Sequence, residues 1–114
     1  MRDNLKGGAL TETTFFILLS VYKPNHGYGI MQFIENETKG RVILGAGTLY
    51  GAINNLVKKD WIKPHGTEVT SRKKQYLITD KGKDIVENEI DRLKEILNIS
   101  LKIAGSENHD KEII

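Results

Sequence analysis

The segment 45–79 constrains the fold most, because its apolar residues change from a helical spacing to a strand spacing. Its first part, GAGTLYGAINNLVKKDWI, has an apolar helix face with the i, i+4, i+7, i+8 pattern, made by Leu49, Ile53, Leu56 and Val57. Residues 61–65 and 73–79 have strand character, and the loop GTEVTS between them contains turn formers. The segment therefore predicts a helix followed by a β-hairpin.

The face of this helix opposite the apolar stripe is made of small and hydrogen-bonding residues. Its members are Gly47, Thr48, Gly51, Asn54, Asn55 and Lys58, with Tyr50 on the flank. A DNA major groove admits such a face closely, because asparagine pairs bidentately with adenine and threonine bonds a base edge or touches a thymine methyl. A tyrosine hydroxyl commonly contacts phosphate. The same residues are common on any exposed helix, so this face alone does not establish groove contact.

The net charge of +2 conceals a strong segregation along the chain. Residues 58–83 contain eight Lys or Arg against three Asp or Glu, whereas residues 84–114 contain four against eight. The basic cluster on the hairpin consists of Lys63, Arg72, Lys73 and Lys74. These cations fit a polyanion such as the phosphate backbone of nucleic acid. Charged residues also protect exposed edge strands from aggregation, and the two roles are compatible.

Further helices are expected on either side of this segment. Residues 11–22, TETTFFILLSVY, predict a first helix that is apolar on almost every side, with threonines near its start. A second helix is expected over residues 27–38, where Gly29 indicates the close approach of a neighbouring backbone, and RVIL at 41–44 is expected to form a short strand. Thr79 is the expected cap of a long last helix, and acidic residues, Glu89 among them, occupy much of its polar side.

The first and last helices offer more apolar surface than one small core can bury. A second copy of the chain is the economical way to cover that surface. The expected dimer interface consists of Phe15, Phe16, Leu19, Val86, Ile90, Leu93 and Leu97. The alternative for the last helix is packing back onto its own subunit.

Composition and spacing argue against several classes of function. A chain of 114 residues accommodates one small domain, and the absence of cysteine fits a reducing compartment, so a cytoplasmic protein is expected. The longest apolar run, residues 15–22, is too short to span a bilayer. His26, His65 and His109 lie in separate segments without the spacing of a metal site or triad. We therefore expect no enzymatic activity, metal or cofactor, and we expect His26 to mark a helix entry.

Four short motifs, taken in their order and spacing, point to a known family. They are HGYG at 26–29, TLY at 48–50, WI at 61–62 and YLIT at 76–79 followed by Gly82. Together they resemble the PadR-like family of bacterial transcriptional regulators over roughly residues 5–100. The resemblance implies a homodimer that binds pseudo-palindromic operator DNA and usually represses transcription. It also implies that the helix carrying TLY enters the major groove, that the wing touches the flanking backbone, and that the first and last helices form the dimer.

The expected fold class is mostly α with a small β-hairpin, which is a winged helix-turn-helix domain plus a long C-terminal dimerisation helix. The expected division is a DNA-binding domain over residues 1–83, the dimerisation helix over 84–104 and a disordered tail over 105–114. Outside the recognition helix, the candidate DNA contacts of the second helix and the wing are Tyr28, Lys63, Arg72, Lys73 and Lys74. Such a protein would be associated with the nucleoid.

Two alternatives stay open on the sequence alone. Related proteins accommodate small aromatic molecules near the dimer interface, but the last helix here presents Leu93 and its neighbours rather than an aromatic platform, so an effector at that interface is a hypothesis. The other alternative is a winged-helix protein-interaction module that never contacts DNA, because a fold does not by itself establish a function. The combination of a small polar helix face with a basic hairpin favours DNA binding.

Overall fold

The computed structural model describes residues 8–67 and 73–105. Within these residues lie four α-helices and three β-strands: α1 Glu12–Ser20, β1 Asn25–His26, α2 Gly27–Glu37, α3 Ala46–Lys58, β2 Ile62–His65, β3 Gln75–Ile78 and α4 Asp80–Ser100. A π-helical turn, Leu101–Gly105, continues α4. The expected winged helix-turn-helix arrangement with a long last helix is confirmed. The predicted tail, apart from its first residue, falls outside the described residues.

Side-chain caps determine where three of the helices begin. The capping residues are Thr11, His26 and Thr79, each of which accepts a hydrogen bond from the backbone amide three residues later. These bonds satisfy N–H groups that the first turn of a helix leaves unpaired. The expectation that His26 marks a helix entry is confirmed. In contrast, α3 begins after Gly45 without a side-chain cap.

The hairpin belongs to a three-stranded antiparallel sheet with the order β1-β3-β2. β2 and β3 form the predicted hairpin with shorter bounds, and their register places Lys63 opposite Leu77. β1 adds a third strand on the other edge of β3, where Asn25 lies opposite Tyr76. The sequence did not predict this strand, because two residues show no alternation and KPN indicates a turn.

The prediction of a strand at residues 41–44 is wrong. This stretch has no strand structure and connects α2 to α3. The Val42 amide donates to Thr38 Oγ1 (3.0 Å), and the side chains of Val42 and Leu44 pack against the core. Ile43, between them, is exposed. The alternation of apolar residues here therefore belongs to a connection that lies along the core surface.

The core combines all four helices with the sheet. Ile17 and Leu18 of α1 are completely buried. The other core residues are Val21, Ile30, Ile34, Leu49, Ile53, Leu56, Ile62, Tyr76, Ile78 and Val86. The end of α1 is also joined to the sheet, because the Ile78 amide donates to the Val21 carbonyl oxygen (2.8 Å). On the other sides of α1, Phe15, Phe16 and Leu19 are only partly buried.

Only the first half of α4 packs on this core. Gly82 passes the backbone of Trp61 so closely that a Cβ at position 82 would lie 2.1 Å from the Trp61 carbonyl oxygen. Val86 is 1% exposed and belongs to the core of its own protomer. It offers almost no surface to a second copy, which corrects its assignment to the dimer interface. From Ile90 onward α4 is mostly exposed, and the molecule is 59 Å long.

No helix among the described residues combines the length and the apolar character that crossing a membrane requires.

A buried ion pair lies where α4 leaves the core. Glu89 is 4% exposed, and its carboxylate accepts hydrogen bonds from Arg92 Nε (2.9 Å) and Nη2 (2.5 Å). The same carboxylate accepts from the Leu10 amide (3.4 Å), just before α1. The hydrogen bonds from Arg92 lower the pKa of Glu89 against the opposing effect of burial. Glu89 therefore does not lie on the solvated acidic face predicted for this helix.

We expect Glu89→Gln to lower the free energy of unfolding by about 1–2 kcal/mol at pH 7, because charge-assisted hydrogen bonds become neutral ones. Since folding lowers the pKa of Glu89, its contribution is complete above the usual value of 4.5 and is lost as the pH falls through the folded-state value. Denaturation at a fixed protein concentration should therefore show that the free energies of unfolding of the variant and the parent converge as the pH falls.

The matched control is Glu95→Gln, because Glu95 is exposed on the same helix and has no ion pair among the described residues. A constant stability difference between the Glu89 variant and the parent at every pH would contradict this account.

Candidate nucleic-acid interface

The surface of α3 divides as the apolar spacing predicts. Leu49, Ile53 and Leu56 are buried, and Val57 is partly buried. The opposite face consists of residues that are all exposed, namely Gly47, Thr48, Gly51, Asn54, Asn55 and Lys58. Within the described part of the chain, no hydrogen bond engages the side chains of Thr48, Asn54 or Asn55, so their donors and acceptors are free for a partner.

No neighbouring atom in the described part of the chain requires a glycine at either of two positions in α3. A Cβ added at Gly47 or at Gly51 would have no described atom within 4 Å. Glycine inside a helix costs about 1 kcal/mol relative to alanine. By contrast, Gly82 is required by the backbone of Trp61. The two glycines of α3 therefore reduce helix stability while keeping one side of the helix flat, which suits the close approach of another molecule.

The HGYG motif has an internal structural role. A Cβ at Gly29 would lie 2.1 Å from Asn25 Oδ1, so the neighbour that approaches this glycine is a side chain rather than the predicted backbone. Asn25 Oδ1 also accepts from the His26 amide (2.9 Å), and Asn25 Nδ2 donates to the Ser20 carbonyl oxygen (3.1 Å). Asn25 thus connects the end of α1 to the start of α2. This connecting role of Asn25 was not predicted from the sequence, although Gly29 indicated that a neighbour approaches closely at this point.

Tyr50 packs against the start of α2. A Cβ at Gly27 would lie 2.1 Å from the Tyr50 hydroxyl oxygen, which places the ring directly against that glycine. Burial raises the pKa of the Tyr76 hydroxyl, and the nearby Tyr50 contributes a smaller effect in the same direction. Tyr50 is therefore partly buried between α3, α2 and the sheet, and its predicted contact with phosphate stays a prediction. Tyr28, in contrast, is 62% exposed, and its hydroxyl accepts from Gln32 Nε2 (3.1 Å).

The hairpin presents lysines beside α3. Lys63 is exposed in β2, and its pairing with Leu77 places it on the sheet face opposite the buried Tyr76 and Ile78. Lys73 is exposed and Lys74 is partly buried, just before β3. The predicted contact Arg72 lies outside the described residues.

Two further cations close to α3 in sequence have interaction partners within the protein. Arg41 forms a bidentate ion pair with Glu12 at the start of α1, and its hydrogen bonds lower the pKa of that carboxylate. Lys59 Nζ lies 4.7 Å from the centre of the Trp61 ring. Trp61, just before β2, is partly buried and packs against the core.

A second surface lies on the distal half of α4. Ile90, Leu93 and Leu97 of the predicted interface are exposed by 37%, 42% and 55%. The band is widened by further exposed apolar side chains, which are Ile96, Ile99, Leu101 and Ile103. At about 100° per residue this band covers more than half of the helix circumference. The remaining polar side carries Asp91 and Glu95 together with Lys94.

Comparisons with known proteins agree with this arrangement. The model of the transcriptional regulator PadR-like family matches residues 17–88. A crystal structure of a PadR family transcription regulator from Clostridium difficile is 26% identical, with a TM-score of 0.65 over 79% of this chain and 95% of that chain. The structure of Bacillus subtilis PadR in complex with operator DNA is similar in fold, with 22% identity and a TM-score of 0.60 over 70% of this chain and 47% of that one.

A curated relative is much longer than the region it shares with this chain. It is an uncharacterised 37.1 kDa protein in transposon TN4556 of Streptomyces fradiae, 36% identical over 66 residues. The match covers 58% of this chain and 18% of that protein.

The contact between Gly27 and Tyr50 makes a testable prediction for a double-mutant cycle. We expect Gly27→Ala to lower the free energy of unfolding by about 1–3 kcal/mol, because the new methyl group displaces the Tyr50 ring. In a Tyr50→Leu background the same change should cost much less, so denaturation should give a coupling energy above roughly 1 kcal/mol.

The matched control is Gly47→Ala, where the structure leaves open space. This change should stabilise the protein by up to about 1 kcal/mol. Equal costs for Gly27→Ala with and without Tyr50 would show that the ring does not cause the penalty.

Proposed function

The chain belongs to the PadR-like family of transcriptional regulators, and from this membership we propose that it is a homodimeric repressor that binds pseudo-palindromic operator DNA. In this proposal α3 is the recognition helix, the β2–β3 hairpin is the wing, and α4 together with α1 forms the dimer. The protein acts in the cytoplasm, at the nucleoid.

The observation that carries the proposal is the open face of α3. Gly47 and Gly51 have no described atom beside them, and Thr48, Asn54 and Asn55 have free hydrogen-bonding groups among the described residues. The floor of a major groove is a flat surface lined with donors and acceptors, which is complementary to such a helix. The complex of Bacillus subtilis PadR with operator DNA supports this use of the shared fold.

The wing supplies contacts that do not depend on base sequence. Lys63 and Lys73 are exposed on or beside the hairpin and have no ion-pair partner among the described residues. Cations in this position neutralise phosphates, release counterions and make the affinity fall steeply with salt. Tyr28 and Lys74, together with Arg72 outside the described residues, complete the proposed set of backbone contacts.

The apolar band on the distal half of α4 supports the proposed dimer. A monomer would leave seven large aliphatic side chains between 37% and 69% exposed on one helix. Burying such area contributes roughly 25 cal/mol per Å². The partly buried Phe15, Phe16 and Leu19 of α1 are the proposed continuation of this interface. A dimer also provides the two recognition helices that a palindromic site requires.

The main competing function is a protein-interaction module with the same fold. It would use the basic hairpin for an acidic protein partner and would not enrich any duplex from a random library. A small-molecule effector at the dimer interface is a further hypothesis, for which the apolar band on α4 is the relevant surface.

The test of DNA binding compares two lysines. We expect Lys63→Ala to weaken binding to every duplex and to reduce the salt slope of log affinity by roughly 0.9 for each phosphate that is no longer neutralised. Lys102→Ala is the control, because Lys102 is exposed at the far end of the chain beyond α4 and should leave the slope unchanged. Affinity would be measured by fluorescence anisotropy from low to moderate salt on duplexes selected from a random library. Absence of duplex binding at low salt would sink the proposed function.

The dimer is tested separately by sedimentation equilibrium. We expect Leu97→Asp to dissociate the protein into monomers, because it places a charge in the proposed apolar contact. Asn98→Asp adds the same carboxylate on the adjacent exposed position of α4, outside the apolar band, and should remain dimeric. A parent protein that sediments as a monomer at micromolar concentration would refute the homodimer.

A further inference from the structure

We infer that α3 reads A·T base pairs in the major groove, so the part of each half-site under this helix is an adenine-thymine core of about three base pairs. This inference rests on the proposed function and adds the chemical class of the sequence that is read. It follows from which hydrogen-bonding groups the exposed face of α3 contains and which it lacks.

The groups that are present match adenine and thymine. Asparagine offers one donor and one acceptor in the geometry of the adenine N6 and N7 edge, and α3 exposes two such side chains, Asn54 and Asn55. Thr48 presents a methyl group beside a hydroxyl, and such a side chain packs against the C5 methyl of thymine. None of the three is engaged by another described residue. Asn25, by contrast, has both ends of its amide bonded within the protein.

Lys58 is the one residue of this face whose side chain commonly recognises a G·C pair. Guanine is read most often by the bidentate donors of arginine or by lysine, and cytosine by an acceptor such as glutamate or aspartate. From Ala46 to Val57 the helix has no charged residue, and Lys58 comes only in its last turn. The nearby Arg41 and Lys59 lie outside α3, where Arg41 pairs with Glu12 and Lys59 lies over the Trp61 ring.

The spacing of the free groups sets the length of the core. Gly47, Gly51 and Asn54 follow one row along the helix, while Thr48 and Asn55 follow the neighbouring row. Seven residues separate the ends of each row, which corresponds to about 10 Å along the helix axis. Where the helix follows the groove, at about 3.4 Å per base step, this distance corresponds to roughly three base steps. The two open glycines lie in the first row and allow the backbone to come close to the base edges.

The inference is tested with base analogues that separate the two grooves. In a duplex selected by the protein, each A·T pair under α3 is replaced by hypoxanthine·cytosine, which presents the major groove of G·C and the minor groove of A·T. The parallel replacement is 2-aminoadenine·thymine, which changes only the minor groove. We expect the first to weaken binding about tenfold or more and the second to change it less than twofold. The reverse pattern would overturn the inference in favour of minor-groove or shape readout.

Alanine variants then test which side chains distinguish A·T pairs from G·C pairs. We expect the double variant Asn54→Ala/Asn55→Ala to bind A·T and hypoxanthine·cytosine duplexes with nearly equal affinity, because both discriminating amides are gone. Asn88→Ala, at an exposed position of α4, is the matched control and should keep the tenfold discrimination. Circular dichroism melting would confirm that each variant is folded. Retained discrimination in the double variant would overturn the assignment.

The experimental outcomes distinguish a failure of this inference from a failure of the proposed function. No enrichment of any duplex contradicts DNA binding itself. Enrichment of a palindrome whose α3-protected positions are G·C leaves DNA binding intact and overturns the A·T inference alone. Replacing single adenines of the selected duplex by 7-deazaadenine, which lacks the N7 acceptor, would locate the contacted positions independently of the variants.

Discussion

The position of every functional element depends on the junction that Thr79 forms between the hairpin and the last helix. Its amide donates to the Trp61 carbonyl oxygen (3.0 Å), and its hydroxyl donates to the Asp60 carbonyl oxygen (2.6 Å). The same hydroxyl accepts from the Gly82 amide and so starts α4. One residue therefore connects the end of α3, the start of β2 and the first turn of α4, through its backbone amide and its hydroxyl. Gly82 completes this junction, because any larger residue would collide with the Trp61 backbone. The proposed dimer helix therefore begins in direct contact with the segment that follows the proposed recognition helix.

The sequence predicted most of the helical architecture, because long periodic segments carry a strong signal. Leu49, Ile53 and Leu56 follow the helical period and are buried, and Thr79 caps α4 as its position before an acidic first turn indicates. The failures concern features that depend on tertiary contacts. β1 is too short for alternation, and Val42 and Leu44 have the spacing of a strand while they pack against the core beside a hydrogen bond to Thr38. Local periodicity cannot separate such cases from true strands.

The candidate site likewise combines features that the sequence predicted with features that only the folded structure reveals. The exposed polar face of α3 was predicted because a residue that is not on the apolar stripe must face elsewhere. The packing of Tyr50 against Gly27 was not, because the two residues are far apart in sequence and only the fold brings them together. Glu89 was expected on the polar side of α4, and its partner Arg92 lies only three residues further along the same helix. Its burial also involves the chain before α1, where the Leu10 amide donates to it, and this contact comes only from the fold.

The uncovered apolar band of α4 has a consequence for how such a regulator would respond to its own abundance. If only the paired form holds two recognition helices at the right separation, assembly and operator occupancy are linked equilibria. Below the concentration at which pairs form, occupancy would rise with the square of the amount of chain rather than in proportion to it. A small change in synthesis or turnover would then produce a disproportionate change in transcription. The aliphatic side chains from Ile90 to Ile103 would in this way set the steepness of a genetic response as well as the stability of an interface.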